Sequence, residues 1–236
     1  PSFFLSHRLP IALAARAAGY DVHVATAAGE GMQDISRHGL THHQVPLSRS
    51  GLNPLREAAT LMSLWRLMRR VRPSVVHLVT IKPVLYGAMA ARFARVPAVV
   101  AAVSGLGTVF VSDEYRDGWM RRLVNAMYRS AFRHANLRVI FQNPHDRQQL
   151  LSMGAVRPDQ SVLIRGSGID LDACPVMPEP TGTPVVTCAA RLLRDKGVRE
   201  FVEAAMLLRR RGLQPRFRLV GDPDPGNPAT VSPEQV

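Results

Sequence analysis

The regular alternation of two hydrophobic periods along this 236-residue chain constrains its fold more than any other feature. Short β-branched and apolar runs, such as Val75-Val76-His77-Leu78, Ala98 to Val103 and Leu137 to Gln142, read as strands. Between them lie stretches whose apolar residues recur at helical spacing. The alternation predicts an α/β architecture with a mainly parallel sheet, since consecutive parallel strands need a crossover and a helix usually supplies it. A hydrophobic content of 46% is enough for a substantial core.

Along the chain, Leu9 to Ala18 predicts a helix ended by Gly19, and Tyr20 to Thr26 a strand. Met32 to His38 predicts a short helix closed by Gly39, His42 to Val45 a strand, and Leu55 to Arg72 a long helix stopped by Pro73. Val75 to Leu78 then reads as a buried strand, with His77 a hydrogen-bonded core histidine in preference to a catalytic base. Helices follow at Pro83 to Ala94, Trp119 to His134 and Pro144 to Met153, with a strand at Val162 to Ile164. The long connection from Gly105 to about Gly118 reads as a mobile loop. Composition shifts at the Pro-rich stretch Cys174 to Pro184, which divides the chain into a domain at 1–173, a linker at 174–184 and a second domain at 185–236.

The second domain opens with the apolar run Pro184 to Cys188, then Ala189-Ala190-Arg191-Leu192-Leu193-Arg194-Asp195-Lys196-Gly197, then a helix from Val198. A strand turning into a helix N-terminus aims unpaired backbone N–H groups at one spot, and Arg191 and Lys196 add full charges. Such a segment either grips a diphosphate or is an ordinary βα unit with surface charges. Gly197 permits close approach of a ligand, and a second strand, Phe217 to Val220, leads into Gly221.

The segment Arg191 to Gly197 resembles the R-L-x-x-x-K-G signature of family-4 glycosyltransferases. Phe3-Phe4-Leu5-Ser6-His7-Arg8-Leu9-Pro10, His77 to Gly87 and Ala102-Val103-Ser104-Gly105-Leu106-Gly107 extend the resemblance in order along the chain. The combination is similar to the bacterial subgroup, including N-acetylgalactosaminyltransferases, that builds glycans on undecaprenyl diphosphate. The resemblance implies a GT-B fold of two Rossmann-like domains. It also implies a retaining transfer from a nucleoside-diphosphate sugar, UDP-linked HexNAc or hexose, to an undecaprenyl-diphosphate-linked acceptor. Arg191, Lys196, Gly197 and Gly221 would then hold the donor, with Arg191 and Lys196 neutralising the departing diphosphate without a metal or other cofactor. The resemblance further implies that the first strand and a distal donor-contacting segment lie outside this sequence. The first sheet is thus expected to have an unfilled position, the second domain to be cut short, and the 236 residues alone to be inactive.

The first domain supplies the remaining candidates. His7 and Arg8 fall in the loop that the resemblance assigns to the acceptor, where they either bind its diphosphate or cap a helix start. Lys82 offers a charge to the same diphosphate. Ser104, Gly105 and Gly107 follow a strand's carboxyl end, where open α/β sheets bind ligands. Many family members carry a His there, and this chain has Ser104-Gly105. Gly166 and Gly168 resemble the family's interdomain G-V-D turn and shape the cleft.

A formal charge of +12 predicts attraction to phosphates of nucleotides, nucleic acids or lipids. The helices containing Trp119 to His134 and Leu64 to Arg70 combine an apolar and an Arg face, as an interfacial helix on an anionic membrane does, although such faces also serve core packing. No run approaches the roughly 20 apolar residues of a membrane span. Two cysteines without ligand spacing, and His42, His43 and His145 without matching carboxylates, predict neither disulfide framework nor metal site. The cysteine usage suggests a cytoplasmic protein, and the resemblance further implies a bacterial one, peripheral on the inner membrane face. Nucleic-acid-binding signatures are absent, which disfavours a basic non-catalytic module. A nucleotide-sugar 2-epimerase of the same fold is disfavoured because Asp195 is the one acidic residue apparent near Ser104 or Arg191.

Overall fold

The structure is a computed structural model that describes residues 1–47, 53–106, 119–166, 168–224, 227 and 229–232. Two compact units divide the chain, Pro1–Ile169 and Asp170–Val236. Parallel pairing and βα alternation characterise both.

The first unit begins with α1 (Ser2–His7), α2 (Leu9–Ala17), β1 (His23–Thr26), α3 (Met32–Arg37) and β2 (Thr41–Gln44). β1 and β2 pair in parallel, His23 opposite Thr41. Ala12, Val24, Ile35 and Leu40 form a small core beneath them. His7, expected in a loop, is instead the last residue of helix α1. Phe4 and Leu5 lie against that core, so burial of these side chains favours a helix that local pattern alone did not reveal.

The unit continues through α4 (Pro54–Val71), β3 (Val75–Val79), a π-helical turn (Pro83–Gly87), α5 (Ala88–Ala94) and β4 (Ala98–Val103). It then runs through α6 (Trp119–Ala131), β5 (Leu137–Phe141), α7 (Pro144–Ser152) and β6 (Ser161–Leu163). Asn53 caps α4 by accepting from the N–H groups of Leu55 and Arg56, and Pro54 occupies the first helical turn. The four strands form one parallel sheet in the order β3-β4-β5-β6, with Val79 opposite Ala102, Val103 opposite Phe141 and Phe141 opposite Leu163. Val99, Ala101, Val139 and Phe141 of the sheet are buried with Tyr128, Ala131 and Phe132 from α6 and its C-terminal end.

Two expectations need correction here. β3 is an edge strand with one wet face: Val75 and His77 are exposed while Leu78 is buried, so His77 is no core histidine. The helix expected from Pro83 opens as a π turn and becomes α-helical only at Ala88. At Gly87 a Cβ would meet Leu78 Cδ2 at 2.5 Å, so that turn lies hard against β3.

In the second unit, β7 (Val185–Ala189) and β8 (Arg216–Val220) pair in parallel, Val185 opposite Arg216. A 3-10 turn (Arg194–Lys196) leads into α8 (Val198–Arg210). Leu192, Val198 and Val231 form a small buried cluster with Leu219 beside it, and Phe201 meets Phe217 edge-on at 5.7 Å. Val185, Val186 and Val220 remain exposed on this two-stranded sheet. Residues 170–184 carry neither helix nor strand.

Candidate functional site

Parallel strands place their following loops at one end of a sheet, and those loops contain most of the first unit's candidates. After β3 come Thr80 and Lys82; after β4, Ser104 and Gly105; after β6, Gly166 and Gly168. Gln142, just past β5, lies 3.5 Å through its Nε2 from the Gly166 carbonyl oxygen. Ser104 is exposed and Gly105 half-buried. Gly107 and the expected Gly105–Gly118 loop fall largely outside the described residues. Thr80 has φ +71°, a conformation that a β-branched residue adopts only when its surroundings hold it there.

Lys82 is not an isolated charge. Its Nζ donates to Glu57 Oε1 at 2.6 Å, with side chains only 20% and 14% exposed. The hydroxyl of buried Tyr86 hydrogen-bonds the same carboxylate. Burial, then the Glu57 charge and that hydrogen bond, push the Tyr86 phenol up to about 12. Glu57 was missed from the sequence because its place in the first turn of α4 reads as ordinary helix-dipole chemistry.

His7 and Arg8 sit at the junction of α1 and α2. The His7 ring stacks on Phe3 with centroids 4.8 Å apart, and its Nδ1 is 2.7 Å from Ser6 Oγ. Arg8 lies over the Phe3 ring at 6.0 Å, and its Nε is enclosed without a hydrogen-bond partner among the described residues. Arg8 also acts on β3: desolvation first, and then the Arg8 charge, lower the His77 pKa.

The second unit's candidates converge through its backbone. Beyond the strands, Ala190 N–H donates to Val220 and Leu192 N–H to Asp222, so residues 190–193 run beside 220–223. Gly221, at φ +148°, passes so close to Ala190 that a Cβ there would collide with the Ala190 carbonyl oxygen. Gly197, at φ +71°, turns the chain into α8, whose first turn has no side-chain cap. Lys196 is exposed one residue earlier. Arg191 Nη1 donates to Asp224 Oδ2 at 2.6 Å, the guanidinium half-exposed and the carboxylate buried. Asp195 is therefore not the sole acidic residue near Arg191. Asp224 lies 33 positions away and reaches it through the β8 crossover, which no local motif shows.

Elsewhere, α6 turns Tyr128 and Ala131 inward and leaves Arg122 and Arg129 exposed. These two, with Arg133 and Asn125, border an open hollow of about 440 Å³. α4 similarly buries Leu64 and Met68 and exposes Arg66, Arg69 and Arg70. Among the described residues, no three His, Cys, Asp or Glu side chains cluster to hold a metal, and no helix is long and apolar enough to cross a membrane.

The chain is similar to several known proteins. The family model "Glycosyl transferase 4-like" matches residues 2–143. A Campylobacter jejuni protein named N,N'-diacetylbacillosaminyl-diphospho-undecaprenol alpha-1,3-N-acetylgalactosaminyltransferase is 27% identical across 98% of this chain. The match spans 65% of that relative's length. Among solved structures, sucrose-phosphate synthase from Thermosynechococcus elongatus superposes with a TM-score of 0.66 at 18% identity, covering 94% of this chain and 57% of that one. A Rickettsia africae glycosyltransferase gives 0.60 at 16%, covering 90% and 55%. A structure described as a UDP-N-acetylglucosamine 2-epimerase from Listeria monocytogenes gives 0.54 at 13%, covering 93% and 59%. These likenesses identify the architecture as GT-B, which transferases and epimerases share, whereas the family match separates the two. The chain belongs to the glycosyl transferase 4-like family.

Proposed function

We propose that the protein is a retaining glycosyltransferase that moves a HexNAc or hexose from a UDP-sugar to a lipid-diphosphate-linked glycan, in surface polysaccharide or glycoprotein assembly. One observation carries the reading. The segment from β7 to α8 holds Arg191, Lys196 and the left-handed Gly197 beside the Gly221 crossing, and the match to the Campylobacter transferase extends through it.

As the bond from the sugar's anomeric carbon to the donor diphosphate breaks, negative charge grows on the departing oxygen. Arg191 and Lys196, with the first-turn N–H groups of α8, stabilise that charge more in the transition state than in the ground state. Two cations make a metal unnecessary for this step. Asp224 orients the Arg191 guanidinium. The acceptor diphosphate lies toward Lys82, Ser104 and Gly105 in the first unit, with His7 and Arg8 as further contacts. The lipid tail requires the protein to work at a membrane surface, on the cytoplasmic face where nucleotide sugars are made.

Calorimetric titration of UDP into the whole protein tests the donor site. Micromolar binding that is lost in Lys196→Ala and Arg191→Ala is expected, with turnover of both variants down by about 10² or more. A folded protein that ignores UDP would overturn the donor assignment. Retention predicts an α-linked product from an α-linked donor, which NMR of the product reads directly.

A further inference from the structure

The ion pair between Lys82 and Glu57 stands at a built corner of the first unit. Lys82 immediately precedes the π-helical turn Pro83–Gly87, and Thr80, two residues earlier, holds its left-handed backbone. π-helical turns and β-branched residues at positive φ are both uncommon and gather at functional positions. Both occur here within eight residues, Thr80 to Gly87, at the carboxyl end of β3. Glu57 enters from the first turn of α4, and Tyr86 donates to it from the π turn itself. One carboxylate therefore ties two elements together and offsets the ammonium at their junction.

We propose that Glu57 is a positioning residue for the acceptor: it orients Lys82 at the end of β3 and screens its charge until the acceptor diphosphate displaces the carboxylate. The proposal rests on the reading that Lys82 faces the acceptor. A carboxylate at 2.6 Å cancels most of the ammonium's field at a distance. Removing that carboxylate takes a close counter-charge from an ammonium that is only 20% exposed, which destabilises the unliganded protein. An incoming diphosphate restores the compensation. By linkage, the stability lost without ligand returns as tighter anion binding.

The test uses the whole protein, with farnesyl diphosphate as the acceptor probe, titrated calorimetrically in the absence of donor. Glu57→Gln keeps the shape and a hydrogen-bond acceptor for Tyr86 while removing the charge. It is expected to melt below the wild type without ligand and to bind the probe about tenfold tighter, with a steeper salt dependence. Lys82→Met is expected to bind about tenfold weaker. The double variant should behave as Lys82→Met alone, because the effect of Glu57 passes through Lys82; a merely structural role would not produce that coupling. Unchanged or weaker binding by Glu57→Gln overturns the proposal, as does a Glu57 effect that survives in the Lys82→Met background. No probe binding by folded wild type overturns it as well. UDP binding is read separately and depends on Lys196, so failure of the donor assignment is distinguishable from failure of this one.

Discussion

A Cβ at Gly221 would collide with the carbonyl oxygen of Ala190, and its φ of +148° already lies where side chains are disfavoured. The contact fixes how residues 190–193 run beside 220–223, and so where Arg191 emerges relative to Asp224. Gly221→Ala is therefore expected to destabilise the protein by about 2 kcal/mol or more, read from the urea midpoint. The same change should weaken UDP binding at temperatures where the variant is fully folded, since the backbone that presents Arg191 must shift. A Gly221→Ala protein with wild-type stability would show that the crossing has slack. The two carboxylates missed from the sequence, Glu57 and Asp224, mark a limit at this scale. Arg191 and Lys196 stand out because a phosphate-binding motif is local. The counter-charges of Arg191 and Lys82 arrive from 33 and 25 positions away, and pairing at that range depends on topology.

Among the elements, those with a strong period were the most legible. Ala98 to Val103 forms a strand over the whole expected range, and α4 begins and ends within one residue of expectation, because its Asn53 cap and Pro73 stop are written locally. α1 was not legible, since packing of Phe4 and Leu5 on a core assembled from later residues makes it helical. The exposure of His77 was missed for a related reason. A strand's apolar pattern does not say whether it will stand at a sheet edge. The β1–β2 pair carries a further consequence in His43, which stacks on His23 with centroids 5.1 Å apart and lies near His42 and Arg70. Desolvation first, then the charges of His23, Arg70 and His42, lower its pKa. The folded protein then binds fewer protons than the unfolded chain just below the ordinary histidine pKa, so stability rises with pH through that window. The contribution of His43 is complete above about pH 6.5 and is lost as the pH falls through its depressed folded value. Urea unfolding at pH 7.5 and pH 5 should show lower stability in acid, and His43→Gln should reduce the difference. An equal pH dependence in the variant would assign the effect to other histidines.

For the whole molecule the governing quantity is the net charge of +12, from 30 basic and 18 acidic residues. The structure shows how part of that excess is deployed. Among the described side chains of α6, Tyr128 and Ala131 are committed to the core, so part of its amphipathicity serves packing. What it presents outward is Arg122 and Arg129, continued by Arg133, around the open hollow. Arg129 is partly engaged, donating to the Met153 carbonyl at 3.0 Å, whereas Arg122 and Arg133 lie exposed on either side of it. A surface of this kind binds anionic lipid by electrostatics, without burying apolar side chains, at about 1 kcal/mol per cation near the headgroups. Binding of the whole protein to phosphatidylglycerol vesicles is thus expected at low salt. It should weaken steeply as the screening length falls to about 3 Å near 1 M salt, with little binding to phosphatidylcholine. Arg122→Glu with Arg133→Glu should lower vesicle affinity by about tenfold or more at unchanged helical content and melting temperature, since neither side chain is needed by the core. Vesicle binding that resists high salt would instead require an apolar contribution, and the exposed Phe93 and Leu123 would be the first residues to change.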